Sequence, residues 1–207
     1  MKVSAIILDC DGVMFDSKEA NTNYYNSILH HFGLPSMGVE NIEFTHMHTA
    51  EESLKQIFKG TPYLDEAQNF CLKYDYTPFI DDMKIEPGLK KVLDVLKPDY
   101  GLAVATSRSN TIGKVLETNG LNNYFDIVVS SLDVKHPKPH PESVFKILDF
   151  FKIGPEECLY IGDSEVDYKV CKAAGVSLIS YGNGSIEGDW QIEALVEVLD
   201  ILGENGL

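Results

Sequence analysis

Five short, nearly unbroken apolar runs, spaced by stretches of helical character, constrain this chain more than any other feature. They are Val3 to Leu8, Leu102-Ala103-Val104-Ala105, Ile127-Val128-Val129, Leu159-Tyr160-Ile161 and Val176-Ser177-Leu178-Ile179. A strand that is apolar on both faces suits a parallel sheet covered on both sides. The stretches between them read as helices. Pro87 to Leu96 opens with Pro-Gly, and Thr111 to Glu117 stops before Gly120. Pro141 to Phe150 begins with a proline, whose missing N–H is harmless in a first turn. Ser164 to Ala174 ends at Gly175, a natural residue for a left-handed cap. Such alternation predicts an α/β fold with a doubly wound, Rossmann-like parallel sheet.

The rhythm breaks between Phe15 and Asp82, where helical patterns occur without a convincing strand. Ser17 is placed to cap a helix carrying Ala20, Tyr24, Ile28, Leu29 and Phe32, which Gly33-Leu34-Pro35 ends. Thr49 and Glu52 have capping-box spacing before Leu54, Ile57 and Phe58. Thr61-Pro62 and Asp65 introduce a third helix through Ala67, Phe70, Cys71 and Tyr74. We therefore expect residues 1–14 and 83–207 to form the core domain and residues 15–82 an inserted all-helical cap domain. An insertion at that point sits over the carboxyl ends of the strands, where open α/β sheets bind ligands. The tail from Gly203 to Leu207 reads as frayed.

The 207 residues suffice for one such domain with a smaller inserted unit. With 44% hydrophobic and 24% charged residues the composition is that of a globular protein. A formal net charge of −15 argues against a nucleic-acid or anionic-membrane partner, since both need basic surface. It leaves an anionic substrate open, because a divalent cation and one lysine reverse the local field inside a site. No apolar run is long enough to cross a bilayer. Met1 to Ile6 leads into the first strand and does not read as a signal peptide, so the expectation is a cytoplasmic protein. Cys10, Cys71, Cys158 and Cys171 are scattered and read as reduced thiols.

Chemistry concentrates at the ends of four runs. Asp9 and Asp11, in Asp9-Cys10-Asp11-Gly12, are two acids that disfavour each other's ionised form unless a cation or a reaction needs them. The plainer reading is an Asp/Gly strand exit. Thr106-Ser107 closes the second run and has an alternative reading as a helix cap. Lys138 lies within His136-Pro137-Lys138-Pro139-His140-Pro141, where a solvated loop lysine is the rival. Gly162-Asp163-Ser164-Glu165-Val166-Asp167 follows the fourth run, and Asp167 also has capping-box spacing to Ser164. Brought to one sheet edge, these residues supply a nucleophilic carboxylate, hydroxyl and backbone donors, a cation and hard oxygen ligands for Mg²⁺. Cys10 should point opposite to the two acids, into the core. His136 and His140 are separated by prolines and do not by themselves make a metal site.

The order DxDG, TS, KPxP and GDSxxD resembles the haloacid dehalogenase superfamily. The match is nearest its phosphatases and phosphomutases with a helical cap after the first strand. The resemblance implies that Asp9 attacks a phosphoryl group to form an aspartyl-phosphate. Asp11 would protonate the leaving alcohol and then activate water. It implies Mg²⁺ held by Asp9, the Asp11 carbonyl and Asp163, with Asp167 in support. Thr106 and Ser107 would hold phosphate oxygens, and Lys138 would neutralise charge. Val13 and Met14 stand where relatives place Thr and Leu. Substrate choice would rest with the cap, where Phe44 to Thr49 reads as a loop carrying His46 and His48, either substrate contacts or exposed. Arg108 reads as a cap-facing or a surface residue. The function implied is a monomeric phosphatase acting on a small phosphorylated metabolite of the sugar phosphate or phosphoglycolate type. The rivals are a phosphomutase of the β-phosphoglucomutase type and a catalytically silent phosphate-binding protein.

Overall fold

The computed structural model describes residues 2–182 and 186–204. Its strands are β1 (Ala5–Leu8), β2 (Phe15–Asp16), β3 (Lys84–Ile85), β4 (Gly101–Ala105), β5 (Ile127–Val129), β6 (Cys158–Gly162), β7 (Ser177–Tyr181) and β8 (Trp190–Ile192). Six of them form one sheet in the order β5-β4-β1-β6-β7-β8 with every pairing parallel. The central strand β1 sets Leu8 opposite Val104 on one side and Ile161 on the other.

Side chains of a strand alternate between faces, and the two cores follow that parity. Ile6, Leu8, Leu102, Val104, Leu159 and Ile161 pack into one cluster. It holds α5 (Leu89–Leu96), α6 (Ile112–Thr118) and α9 (Val198–Glu204). Ala5, Ile7, Ala103, Ala105 and Tyr160 pack into the other, with α7 (Glu142–Phe151) and α8 (Glu165–Ala174). Helices on both faces of a parallel sheet are the doubly wound arrangement the apolar runs predict. α8 begins at the Ser164 cap and ends at a left-handed Gly175.

Three features depart from expectation. β8 adds a sixth strand whose sequence, Trp-Gln-Ile, has no continuous apolar run. β2 lies inside the stretch read as strandless, and it pairs antiparallel with β3. This two-stranded ribbon ties together the points where the chain leaves the sheet and returns to it. Gly203 and Glu204 belong to α9 rather than to a frayed tail, while residues 205–207 lie outside the described residues.

The insertion contains α1 (Lys18–His31), α2 (Val39–Met47), α3 (Ala50–Ile57) and α4 (Leu64–Cys71), then a 3₁₀ turn at Thr77–Asp82. The capping box before α3 is present: the Glu52 N–H donates to Thr49 Oγ1 at 3.3 Å, and the Thr49 N–H donates to Glu52 Oε2 at 3.1 Å. The unexpected helix is α2. Among its described side chains only Thr45 is buried, so it shows no apolar stripe by which to be recognised. α4 begins at Leu64, with Tyr63 at its N-cap position making no side-chain cap, and stops before Tyr74. Tyr24 anchors the insertion, with Tyr25, Tyr74, Tyr76 and Phe79 around it at ring separations of 5.0 to 5.6 Å. Among the described residues no helix is long and apolar enough to cross a membrane.

Leu93 is fully buried beneath the sheet, whereas Val39 is 76% exposed. Leu93→Ala is expected to cost about 2–5 kcal/mol of stability through lost burial and an unfilled cavity. Val39→Ala should stay within about 0.5 kcal/mol. Urea unfolding midpoints check this, and similar losses in the two variants would contradict the assigned core.

Candidate active site

The site begins where β1 ends. The Asp9 N–H donates to the Ile161 carbonyl at 3.0 Å, continuing the ladder by one residue. The chain then folds back, with the N–H groups of Met14 and Phe15 donating to the Cys10 carbonyl. Gly12 makes this turn at φ +83°, a conformation glycine adopts without steric cost. A side chain there is also excluded by space, since a Cβ would lie 1.9 Å from Asp163 Oδ2. Cys10 is fully buried in the core as its strand parity requires, and burial pushes its thiol well above the usual range.

Lys138 is buried, not a solvated loop lysine. Its Nζ donates to Asp9 Oδ1 at 2.9 Å and to Asp167 Oδ1 at 2.8 Å, and lies 5.2 Å from the Tyr160 ring centre. Desolvation works against its charge, but Asp167 and Asp9 more than offset that and hold the ammonium above its ordinary pKa. Asp167 shows the expected capping role and adds contacts to Lys138 and Tyr160. It forms the capping box of α8 with Ser164, whose Oγ donates to Asp167 Oδ2 at 2.6 Å. Its Oδ1 accepts from Lys138 and from the Tyr160 hydroxyl at 2.9 Å. These contacts hold Asp167 below the usual carboxylate range despite its burial.

Asp9 shares Lys138 but has fewer donors. Burial pushes it up to about 7 against Lys138, with the charges of Asp167 and Asp11 adding to the rise. Asp163 is pushed up to about 8 by burial and by Asp9 and Asp167. One carboxylate oxygen each of Asp9, Asp163 and Asp167 lie within 4.8 Å of one another. A cluster of oxygen donors with more negative charge than its lysine balances fits a hard divalent cation such as Mg²⁺.

Asp11 turns away from that trio. Arg108 grips it with two hydrogen bonds, Nε to Oδ2 at 2.8 Å and Nη2 to Oδ1 at 2.6 Å, and the Ser17 hydroxyl donates to Oδ1 as well. Despite burial, Arg108 and Ser17 hold Asp11 below the usual carboxylate range. The same contacts favour the ionised form of Asp11, the form that would activate water in its expected role. The structure corrects the surface reading of Arg108, which is buried and reaches Asn21 and Tyr76 of the insertion, both at 3.2 Å. Ser17 occupies the cap position of α1 but makes no capping hydrogen bond, because its hydroxyl serves Asp11.

Thr106 and Ser107 do not cap α6, whose N-cap is Thr111. Ser107 lines the cavity. Thr106 is buried behind it, its Oγ1 accepting the Arg108 N–H at 3.1 Å. His46 and His48 also line the cavity, and they lie in and at the end of α2 rather than in a loop. His46 Nδ1 is buried without a partner. His48 stacks on Phe44 at 3.8 Å and pairs its Nδ1 with the Phe44 carbonyl at 2.9 Å. The structure thus brings every candidate except Thr106 to the lining of one cavity. Sequence reasoning missed Ser17, Asn21, Tyr76 and Tyr160. Ser17 and Tyr160 had ordinary explanations as a cap and a strand residue, and Asn21 and Tyr76 carry no local signal.

Comparison with known proteins follows the same lines. The family described as haloacid dehalogenase-like hydrolase matches residues 6–181. The crystal structure of a HAD-superfamily hydrolase, subfamily IA, variant 1, from Geobacter sulfurreducens is 38% identical. It superposes with a TM-score of 0.80 over 97% of each chain. A pyrophosphatase, PpaX, of Bacillus thuringiensis (strain Al Hakam) is 26% identical over 99% of this chain and 98% of its own. A β-phosphoglucomutase structure from Clostridium difficile has a TM-score of 0.80 at 20% identity, over 98% of each chain, a likeness of fold.

The raised carboxyls of Asp9 and Asp163 make a test possible. An acid whose folded pKa lies above its unfolded value of 3.8 stabilises the fold below that value. The contribution is lost as pH rises through the folded values of about 7 and about 8. Divalent-free protein should therefore lose melting temperature from roughly pH 5 to pH 9, and Mg²⁺ should restore more of it at the alkaline end. Scanning calorimetry with and without Mg²⁺ decides this; an equal Mg²⁺ increment at both ends would contradict it.

Proposed function

This chain belongs to the haloacid dehalogenase-like hydrolase family, and on that footing we propose that it is a Mg²⁺-dependent phosphatase. Its substrate is a small phosphorylated metabolite, hydrolysed through an aspartyl-phosphate on Asp9. One observation carries the reading: the Lys138 ammonium, buried and fixed between Asp9 and Asp167, orients a carboxylate at the floor of a cavity. We take residues 1–14 and 83–207 as the core and 15–82 as the cap.

Asp9 offers Oδ1 to Lys138, which leaves Oδ2 to attack phosphorus. The bond from phosphorus to the leaving oxygen breaks as the bond to Asp9 forms. Lys138 neutralises charge between the nucleophile and the phosphoryl oxygens, and Ser107 lines the wall on which those oxygens rest. Mg²⁺, held by Asp9, Asp163 and the Asp11 carbonyl with Asp167 in support, supplies further charge neutralisation when bound. In the second half-reaction Asp11, ionised beside Arg108, takes a proton from water, and the hydroxide displaces Asp9 from phosphorus. An alcohol leaving group needs Asp11 protonated first, whereas the phosphate released from an anhydride leaves without that proton. The pairing of Asp11 with Arg108 therefore gives pyrophosphate a place beside phosphomonoesters, and the relative named as a pyrophosphatase points the same way.

The cavity, about 80 Å³, suits a phosphoryl group with a short remainder. The insertion contributes Asn21, Tyr24, Tyr25, His46 and Tyr76 to its lining, and its four carboxylates all come from outside the insertion. A mutase would need an acid/base on the cap side, where the lining holds His46 and His48 but no carboxylate; hydrolysis is preferred on the likeness to the relative named as a pyrophosphatase. His46 Nδ1 is the cap atom best placed to meet the substrate's non-phosphoryl end.

A panel of pyrophosphate, phosphoglycolate, sugar phosphates and β-glucose 1-phosphate, followed for both phosphate release and isomerised product, tests the proposal. Phosphate release that EDTA abolishes and Mg²⁺ restores is expected. Asp9→Asn should lower turnover on the order of 10³-fold or more while the circular dichroism spectrum is unchanged. Near-normal activity of that variant would refute the aspartyl-phosphate route. Isomerised product without phosphate would make the protein a mutase.

A further inference from the structure

On the outer side of the loop that carries Lys138, the structure assembles a donor set that phosphoryl chemistry does not use. His136, His140 and Glu142 stand two residues before, two after and four after Lys138. One possible ligand atom of each lies within 4.8 Å of the others. His136 Nδ1 is 3.0 Å from Glu142 Oε2, and the two imidazole rings are 4.8 Å apart. The proline-spaced sequence hides this cluster, because its third member opens the following helix.

The frame is ordered by backbone contacts. Pro137, Pro139 and Pro141 each fix φ, and the His140 N–H donates to the Pro137 carbonyl at 3.0 Å. Glu142, the first residue of α7, accepts the N–H groups of Lys135 at 2.8 Å and of His136 at 3.0 Å. Those contacts hold its carboxyl down to about 2, so it is ionised at neutral pH. His140 Nδ1 receives the Glu142 N–H at 3.3 Å, the long end of the range, so this hydrogen bond restrains the ring only weakly. Both histidines are exposed, which leaves solvent positions for water ligands.

We propose that His136, His140 and Glu142 form a second divalent-cation site, outside the catalytic cavity, for a borderline transition ion of the Zn²⁺, Co²⁺ or Ni²⁺ class. Two imidazoles and one carboxylate are the donors such ions prefer, and Mg²⁺, which favours oxygen and keeps its waters, does not compete well for them. Bonds of about 2.0–2.1 Å bring tetrahedral donors to about 3.3 Å from one another, a contraction a turn of the His140 ring supplies. An ion there joins both sides of Lys138 to the start of α7. It replaces a proton-mediated His136–Glu142 contact with coordination bonds.

The test is titration of the Mg²⁺-saturated full chain with Zn²⁺ by calorimetry, and with Co²⁺ by its visible absorption. One Zn²⁺ equivalent that excess Mg²⁺ does not displace is expected, with a Co²⁺ band of the same stoichiometry. His136→Ala and His140→Ala should each weaken that equivalent by roughly tenfold or more, and Asp163→Asn should retain it. The proposal fails if the Mg²⁺-saturated protein takes no Zn²⁺. It fails equally if both histidine variants bind as the parent does, or if Asp163→Asn alone loses the equivalent. Melting temperatures of the variants show that each is folded.

Discussion

The Lys138 ammonium held between Asp9 and Asp167 is the contact on which the rest of the site depends. A lysine this deeply buried is costly to desolvate, and only close partners of opposite charge make it tolerable. Removing both acids would leave an uncompensated buried charge, whereas removing one leaves the ammonium paired with the other. The fold provides the partners by bringing three separate segments to one point: the end of β1, the loop after β5 and the start of α8. The parallel sheet makes that convergence possible, because its strands all finish on the same edge. Asp167 is further pinned by Ser164 and Tyr160, so it is the fixed member, and Asp9 is the acid left with an oxygen to spare.

Charge balance then explains why Gly12 and Asp163 belong to the same design. Four carboxylates line the cavity against Lys138 and Arg108, so full ionisation leaves two negative charges in excess. Asp163 bears most of the strain, with Asp9 and Asp167 opposing its ionisation and Lys138 alone among the larger influences favouring it. It can approach this closely because Gly12 lacks a Cβ at the point its Oδ2 occupies. The glycine is thus needed twice, for a left-handed turn and for room beside a carboxylate. One divalent cation would cancel the excess.

Much of this was legible in the chain. Apolar runs at Val3 to Leu8, Leu102 to Ala105 and Leu159 to Ile161 announced the buried parallel strands β1, β4 and β6, because strands covered on both faces have no polar side to hide them. Their polar terminal residues announced the edge where chemistry collects. What stayed hidden was whatever needed a distant partner to have meaning. Ser17 has the composition and position of a helix cap, yet its hydroxyl belongs to Asp11. Tyr160 fits an apolar strand, but its hydroxyl steadies Asp167 at the start of the helix packed on the same face. α2 could not be seen because it has no apolar stripe: it is positioned by the neighbours it touches, not by a periodic face of its own.

Arg108 shows best how such distant partners change the meaning of a residue. Read alone, it is a cation after a Thr-Ser pair, equally at home on the surface. In the structure two of its N–H groups serve Asp11, while Nη2 also reaches Asn21 and Tyr76 of the insertion. The position of the helical insertion and the charge on Asp11 therefore belong to one network. Moving the insertion away would remove Asn21 and Tyr76 from Arg108 and take Ser17, at the root of α1, with them. Asp11 would then sit in a wetter and less restrained environment. The second acid of the opening Asp-Cys-Asp-Gly run is in this way governed by residues up to 97 positions away. Its spacing from Asp9 sets where it is, and Arg108, with Ser17 beside it, holds its carboxyl below the usual range against burial.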